Sequence, residues 1–354
     1  MISGSETVSI QNIKRAAGIL YHIPGEWNHR RKMKSIAGKD TNHQEFFHNT
    51  STAVKAFDDV AINYDKEFTH TRTGQLQREV VHRYLENNLD SETYKNVLEL
   101  NCGTGEDAIW LSRKGYKVTA TDVSSEMIAM AKSKQTGAKE KTEINFLQLP
   151  FSKLDQFKDN SFDLLFSNFG GLNCIDSDEI SILSKEINRL LRPGGKFIAV
   201  LMGRNCVLEK FYFTLKGDKQ NKLRRSSIAP VKAKVATSEI DISYYAPNEF
   251  AKLLHPYFNT PTFIPVGLFI PPSYLEKPFT YIPGFQLQHA CWNVLLLSIR
   301  DGLILLIIIL LISQSHEDSF NSRLLSERGS ERTSNYEALC STWNTLYFCI
   351  FRGA

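Results

Sequence analysis

The stretch VLELNCGTGEDAIWLSRKGYKVTATDVS, residues 97–124, decides the fold of this chain. Its first apolar run, residues 97–100, predicts a buried strand. Residues 106–114 then predict a short helix, which Gly115 ends. Residues 116–120 predict the next strand. The stretch is therefore a β–α–β unit, and its glycine turn lies at the carboxyl end of the first strand.

The glycine turn, with Gly103 and Gly105, favours a site for a cofactor that contains a nucleoside. Glycine permits positive φ angles and lets a ligand approach the backbone. Open α/β sheets bind ligands at this edge, where the first helix presents free N–H groups. Asp122 follows the second strand and is placed to accept hydrogen bonds from two ribose hydroxyls. The glycine pattern alone also fits a plain strand–helix turn, and Asp122 argues against that alternative.

The full stretch resembles motifs I and II of the class I S-adenosylmethionine-dependent methyltransferases. Residues 161–174 resemble the fourth strand and its loop, and residues 178–202 resemble the following helix, the Pro-Gly-Gly turn and the fifth strand. Residues 57–68 resemble the lead-in helix that often closes over the cofactor. The resemblance covers residues 55–285 and points to the branch that methylates small molecules. It implies an enzyme with an α/β, Rossmann-like, seven-stranded and mostly parallel sheet, helices on both faces, and S-adenosylmethionine as cofactor.

By this resemblance, Glu99 and the backbone of residues 101–103 hold the methionine part of the cofactor, and Asp122 holds its ribose. Tyr64 closes over the site, and Asn168 bonds the cofactor's amino group. Asn101 stands where the family commonly has a glycine, so the turn is expected to differ slightly.

The adenine is expected to lie between Val123 and Met127. Pro150 stands near the position where the family often has an aspartate for the adenine amino group, so Gln148 or the backbone at Leu149 takes that contact. The predicted cofactor site comprises Tyr64, Glu99, Asn101, Cys102, Gly103, Gly105, Asp122, Val123, Met127, Gln148, Leu149 and Asn168.

No catalytic base is assigned. Methyl transfer from a sulfonium depends mainly on proximity, orientation and electrostatics, because the cofactor carries the activated methyl group. Tyr244, Tyr245 and His255 lie in the right half of the chain, and structural roles are expected for all three. Asn168 is followed by Phe169, so the signature of amide-methylating enzymes is absent.

The composition predicts a globular core, with 42% hydrophobic and 23% charged residues among 354. A net charge of +4 gives no strong electrostatic case for nucleic acid. The six cysteines include no Cys-x-x-Cys pair and no metal-ligand spacing. They predict reduced thiols in a cytoplasmic protein without a metal, and the first residues lack the apolar core of a signal peptide.

Three segments are expected along the chain. Residues 1–50 form a polar, basic and partly disordered arm. Residues 51–290 form the methyltransferase domain, with a helix and a basic loop inserted after strand five. Residues 291–354 are an atypical apolar segment and polar tail, whose ending does not resemble the family.

The apolar run at residues 302–312 has about half the roughly 20 residues that a membrane span needs. Residues 303–312 of this run, or residues 295–299, are expected to supply the seventh strand. Membrane contact through residues 294–312, with a membrane-associated location, is the alternative.

Two other functions remain open. A nicotinamide-dependent dehydrogenase shares the glycine turn, but its strand seldom carries an acidic residue at the position of Glu99. A catalytically silent protein of the same fold, with a membrane or partner role in residues 291–354, would bind the cofactor without turnover. The small-molecule acceptor is expected to be apolar or aromatic, and the sequence does not define the oligomeric state.

Overall fold

Five parallel strands lie at the centre of the structure, a computed structural model that describes residues 50–137, 144–259, 261–266, 270–277 and 346–352. For residues 50, 51 and 346–352 only the backbone is described. The five strands are β1 (Asn96–Leu100), β2 (Lys117–Asp122), β3 (Ile144–Gln148), β4 (Phe162–Ser167) and β5 (Leu191–Met202). They pair in the order β3–β2–β1–β4–β5. The order reverses between β1 and β4, the place where open α/β sheets bind ligands.

Helices connect these strands. They are α1 (Thr50–Tyr64), α2 (Arg72–Asn88), α3 (Glu106–Arg113), α4 (Ser125–Gly137), α5 (Ser177–Leu190), α6 (Val207–Leu215), α7 (Lys219–Leu223) and α8 (Pro247–Leu254). Helix α1 continues into a π-helical turn, Asp65–Thr69. The Thr71 hydroxyl caps α2 by accepting from the Gly74 amide at 3.0 Å, and Asp176 and Glu179 form a capping box at the start of α5.

The sheet is buried on both faces. Along β4, Leu165 packs in one hydrophobic cluster, while Leu164 and Phe166 pack in the other, because successive side chains of a strand point to opposite faces. The first cluster contains residues of α5 and α8, and the second contains residues of α2, α3 and α4. Helices on both faces of a parallel sheet confirm the predicted Rossmann-like α/β class.

Two antiparallel strands extend the sheet beyond β5. Strand β9 (Leu346–Arg352) pairs with β5 on one side and with β8 (Thr262–Pro265) on the other. The prediction for this position was wrong, since the strand beside β5 is formed by residues 346–352 and not by residues 295–299 or 303–312. Both of those runs lie outside the described residues.

The insertion after β5 is larger than predicted. Besides α6, it contains the short helix α7 where a basic loop was expected, and a hairpin of β6 (Val231–Val235) and β7 (Ser238–Ile242) that the sequence did not predict. The hairpin packs on α1, where Ile240 and Ile242 join Ala56 in a small hydrophobic cluster. The insertion therefore supports the helix that was expected to close over the cofactor.

Candidate functional site

A cavity opens at the carboxyl edge of the sheet, between the loops that follow β1, β2 and β4 and the helix α1. Ten of the twelve predicted cofactor residues line it: Tyr64, Glu99, Asn101, Cys102, Gly103, Asp122, Val123, Met127, Leu149 and Asn168. Gly105 and Gln148 are not part of the lining. The sequence prediction therefore located one common site, with two residues assigned to it that lie outside.

The two glycines of the turn, Gly103 and Gly105, have different structural roles. Gly103 has a φ of +53°, and a Cβ added there would meet nothing closer than the Tyr64 ring at 3.9 Å, so its missing side chain leaves space in the cavity. Gly105 has a φ of +77°, and its Cβ would lie 2.8 Å from the Ala131 Cβ and 2.9 Å from the Phe146 ring. Gly105 thus allows α3 to pack closely against its neighbours.

Asp122 joins the ends of β1 and β2. Its Oδ2 accepts from the Gly103 amide at 2.8 Å, and its Oδ1 accepts from the Ser124 amide at 2.9 Å. Burial raises the pKa of this carboxyl, and the hydrogen bonds from backbone amides oppose that shift. Each carboxylate oxygen can accept a further hydrogen bond, so Asp122 can still bind hydroxyl donors in the cavity.

Asn101 holds the loop after β1 against the loop after β4. Its φ is +50°, a conformation that asparagine tolerates better than most residues. Its Nδ2 donates to the Asn168 carbonyl at 3.0 Å, and its Oδ1 accepts from the Ser167 hydroxyl at 2.7 Å. A Cβ on Gly171 would lie 2.1 Å from the Asn101 Cγ, so this close approach requires glycine at position 171.

Two side chains that were predicted to contact the cofactor, Asn168 and Gln148, form hydrogen bonds within the protein. The Asn168 side chain donates from Nδ2 to Asp107 Oδ2 at 3.0 Å and accepts from the Phe169 amide at 2.9 Å, so both ends of this amide already have a partner within the protein. Gln148 is exposed and donates to the Val123 carbonyl at 3.2 Å. Its side chain therefore braces the loop after β2 from outside the cavity lining.

Asp107 is the centre of a buried network that the sequence did not predict. Its Oδ1 accepts from Arg78 Nε at 3.0 Å and lies 2.6 Å from His82 Nε2. Burial alone would raise the pKa of Asp107, but the Arg78 guanidinium and the hydrogen bond from His82 hold it well below its usual range. Arg78 and His82 are one helical turn apart on α2, so that spacing was the available signal.

The Arg78 guanidinium also lies over the Phe169 ring, 4.6 Å from its centroid, and both residues line the cavity. The loop after β4, the first turn of α3 and the helix α2 therefore meet around one cation. Arg78 is the basic residue of the cavity lining, and its guanidinium opposes the raised pKa of Glu99.

Glu99 is a buried carboxyl of the site in which one oxygen lacks a hydrogen-bond partner in the described part of the chain. Its side chain lies in the cavity wall with 1% of the residue exposed, and its Oε2 has no hydrogen-bond partner among the described residues. Burial raises its pKa well above the usual range, and the Asp107 carboxylate adds to that shift while Arg78 opposes it. A buried oxygen without a partner costs free energy, and a donor placed in the cavity would remove that cost.

Helix α1 is fastened to the cavity rim by polar contacts. The Thr104 hydroxyl donates to Asp65 Oδ1 at 2.6 Å, and Lys134 pairs with Asp65 Oδ2 at 2.6 Å. The Ser124 hydroxyl donates to Asp58 Oδ1 at 2.5 Å. These contacts hold Tyr64 beside Gly103, and burial raises the pKa of the Tyr64 hydroxyl.

The rest of the lining is mainly apolar and aromatic. It includes Ala53, Phe57, Phe151, Cys174 and Ile175. Neither Tyr244, Tyr245 nor His255 belongs to it. Tyr245 instead donates to the Ile175 carbonyl at 2.7 Å, which is a structural contact.

The comparison with known proteins identifies this part of the chain. Residues 97–195 match the family model described as a methyltransferase domain. A demethylmenaquinone methyltransferase of Leptospira interrogans is 30% identical over 152 residues, which are 42% of this chain and 59% of that protein. The enzyme of the same name from Chlorobaculum tepidum is 31% identical over 167 residues, 46% of this chain and 65% of that protein. Residues 97–195 are therefore similar to a methyltransferase domain. The family prediction is thereby confirmed for the residues that form the cavity floor.

The methyltransferase domain matches only part of these relatives, since the chain spans 59% and 65% of their lengths. A solved structure, a protein from Pyrococcus horikoshii, aligns with 58% of this chain at 22% identity and a TM-score of 0.45. In the part of the chain that the structure describes, no group of three potential metal ligands occurs. Among the same residues, no helix has the length and apolar character needed to cross a bilayer.

Proposed function

We propose that the chain is an enzyme that transfers a methyl group from S-adenosylmethionine to a small-molecule acceptor. One observation carries this proposal: Glu99, whose buried Oε2 has no hydrogen-bond partner among the described residues, lines the same cavity as Asp122, within the segment that matches the methyltransferase model. The cofactor has an ammonium group that would supply the missing donor and a ribose whose hydroxyls suit Asp122. The acceptor groups of the cavity therefore fit the donors of this cofactor.

The amino-acid part of the cofactor carries both charges, and the cavity offers a partner for each. Glu99 is proposed to accept from the ammonium group. Arg78 uses Nε to bind Asp107, and its terminal nitrogens are proposed to bind the carboxylate, because a guanidinium can donate two parallel hydrogen bonds to one carboxylate. Asp107 then acts by fixing the orientation of Arg78.

The remaining predicted residues surround the nucleoside. Gly103 leaves room for the backbone to approach the ligand, and Val123, Met127 and Leu149 are proposed to pack against the adenine. Tyr64 closes this part of the cavity from α1. Cys102 and Asn101 contribute through the backbone of the turn, and Gly105 contributes through the packing of α3.

When bound, the cofactor supplies an activated methyl group on a cationic sulfur. The protein's part is to orient the two reactants, to exclude water and to match the charge that is lost during transfer. The Asp122 carboxylate and the other acidic residues of the lining favour the cationic cofactor over its neutral product. This difference assists product release after each turnover.

The acceptor is proposed to be an apolar or aromatic molecule. Phe57, Phe151, Phe169 and Ile175 give the cavity an apolar wall that fits such a molecule. Two relatives are named as demethylmenaquinone methyltransferases, which supports an acceptor of the quinone class.

Calorimetry with S-adenosylmethionine and S-adenosylhomocysteine tests the cofactor. The parent protein is expected to bind both, and Glu99→Gln is expected to weaken binding, while Glu126→Gln, an exposed carboxyl on α4, serves as the matched control. Failure of the parent protein to bind either compound would refute the proposal, and binding of a nicotinamide dinucleotide instead would favour the dehydrogenase.

Turnover is tested separately with a labelled methyl donor and a panel of reduced quinones and other aromatic acceptors. Transfer of label to one acceptor class is the expected result. Tight cofactor binding without transfer to any acceptor would favour the catalytically silent alternative.

We further propose that residues 346–352 are the seventh strand of the family's sheet, so that the methyltransferase domain extends beyond residue 290. This assignment is supported by the backbone pairing of β9 with β5 and β8.

The basic arm at residues 1–50 and the membrane contact through residues 294–312 fall outside the described residues and stay predictions. A cytoplasmic location rests on the cysteines, and Cys102, Cys174 and Cys206 are free thiols.

A further inference from the structure

The insertion after β5 has an unusual charge. Residues 204–235, here called the cap segment, contain nine lysine and arginine residues and two acidic residues, a net charge of +7, whereas the whole chain carries +4. The remainder of the chain is therefore net negative. Arg204 and Lys232 pair with Glu249 and Asp241 outside the segment, so the cap segment has an excess of positive charge that is smaller than +7.

The two acidic residues of the cap segment are used internally. Glu209 is buried and pairs with Arg224 at 2.9 Å and with Arg225 at 2.7 Å, which fastens α7 to α6. Asp218 caps α7 by accepting from the Asn221 amide at 3.0 Å. Lys216 and Lys219, which flank Asp218 in the sequence, are exposed to solvent.

Large apolar side chains are exposed in the same segment. Phe211 and Leu215, one turn apart on α6, are 55% and 72% exposed, Leu223 at the end of α7 is 59% exposed, and Ile228 is 87% exposed. Of the six large apolar side chains that stand out as exposed among the described residues, these are four. A fifth, Tyr274, lies against Arg224 of the cap segment.

We propose that the cap segment docks on the surface of an anionic lipid bilayer, with Phe211, Leu215, Leu223 and Ile228 entering the headgroup region among the lysines. Exposed phenylalanine and leucine beside lysines are the composition of elements that lie in a membrane interface. Positive charge adds attraction to anionic lipids. A nucleic-acid surface would need the cations but not four exposed aliphatic and aromatic side chains.

The position of the cap segment suits this role. It begins directly after β5, whose carboxyl end lies at the edge of the sheet that holds the cavity. A protein docked through this segment would bring the cavity edge toward the bilayer, where apolar acceptors dissolve. The docking itself does not depend on the proposed methyl transfer, so the two can fail independently.

Co-sedimentation of the full chain with lipid vesicles tests the proposal. Binding is expected to vesicles that contain phosphatidylglycerol and not to vesicles of phosphatidylcholine alone, and added salt should weaken it. The double variant Phe211→Ser/Leu215→Ser is expected to lose more than about tenfold in partition. Lys216→Glu/Lys219→Glu, which removes two positive charges and adds two negative ones, is expected to lose at least about 30-fold.

Matched controls lie elsewhere on the surface. Ile62 on α1 is 76% exposed, so Ile62→Ser controls for the loss of an exposed apolar side chain. Lys117 and Lys132 are exposed lysines outside the cap segment, so Lys117→Glu/Lys132→Glu controls for the change in net charge. Both controls should keep the parent's partition, and circular dichroism should show that every variant keeps its fold.

Three outcomes would overturn the proposal. The first is no binding to phosphatidylglycerol vesicles. The second is binding that both cap variants retain, which would place the membrane contact elsewhere in the chain. The third is a change in self-association, measured by light scattering, without a change in vesicle binding, which would make the cap segment an interface between copies of this chain.

Discussion

Replacing Glu99 by glutamine is expected to stabilise the empty protein at neutral pH and to weaken its cofactor binding. Glu99 is buried with an unpartnered oxygen, and burial raises its pKa in the folded state. In the unfolded chain the same carboxyl ionises near pH 4.3. The folded state therefore keeps a proton that the unfolded state releases, so the free energy of unfolding falls as pH rises from about 4.3 toward the folded-state pKa.

Glutamine does not ionise, so the variant lacks this penalty. Each pH unit in that window is worth about 1.4 kcal/mol, and an unpartnered buried group costs about 1–3 kcal/mol. We therefore expect Glu99→Gln to raise the free energy of unfolding by about 1–3 kcal/mol at pH 7. The difference should vanish near pH 4.3, where both proteins are neutral at this position.

Urea titrations at both pH values measure the effect, and Asp107→Asn is the contrasting variant. Asp107 is also buried, but Arg78, His82 and Asn168 all bind it. Its replacement leaves a buried cation without its partner and is expected to destabilise the protein by about 3 kcal/mol. The two carboxyls of one cavity should thus give stability changes of opposite sign.

The binding half of this prediction is measured by calorimetry with S-adenosylmethionine. Loss of a hydrogen bond to a charged group should make the binding free energy of Glu99→Gln less favourable by about 1.5–3 kcal/mol, which raises its dissociation constant about 10- to 150-fold. A variant that is less stable than the parent at pH 7, or a stability difference that does not change with pH, would refute the reasoning about Glu99.

Three further predictions concern the turn and its neighbours. Asp122→Ala should weaken cofactor binding by about 1.5–3 kcal/mol in calorimetry, because charge-assisted hydrogen bonds are lost, and an unchanged dissociation constant would exclude the ribose role. Gly103→Val should abolish cofactor binding and lower the free energy of unfolding by little more than the backbone strain of about 1–3 kcal/mol. In Gly105→Val the new side chain should also collide with its neighbours, so this variant should unfold at a lower urea concentration. Equal urea midpoints for the two variants would contradict this. Gly171→Ala should destabilise the protein by about 1–3 kcal/mol through overpacking, and adding Asn101→Gly should recover part of that loss in a double-mutant cycle.

The elements that the sequence predicted well are those with local causes. The glycine turn and Asp122 lie within one β–α–β unit, and the φ angles of +53° and +77° at Gly103 and Gly105 are what glycine permits there. The location of Glu99 in the cavity follows from the same unit. A strand, a turn and a helix in sequence order are sufficient to place these side chains at one edge.

The missed elements depend on contacts between distant parts of the chain. Arg78 and Asp107 are 29 positions apart, and nothing in the sequence around either residue identifies the other. The side chain of Asn168 was assigned to the ligand from its place at the end of β4. Its side-chain amide instead donates a hydrogen bond to Asp107. Gln148 likewise bonds within the protein, to the Val123 carbonyl, since the direction of a side chain at a strand end depends on the neighbouring loop.

Strand β9 shows that the length of an apolar run does not by itself identify which segment forms a strand. Residues 302–312 form a longer apolar run than residues 346–352, and the longer run was predicted to fill the sheet. A seven-residue strand is sufficient between β5 and β8, because a strand needs few residues and its stability comes from backbone pairing on both sides.

That strand also sets the order in which the sheet can be completed during synthesis. Lys196 of β5 pairs with Arg352 of β9, 156 positions later, so β5 emerges from the ribosome long before its partner exists. Until then its open edge is a template for strands of other nascent chains. Pairings this distant in sequence also slow folding. We expect ribosome-bound intermediates that end before residue 346 to depend on chaperones that cover exposed strands, although the cofactor cavity, built from β1, β2 and β4, could already be formed.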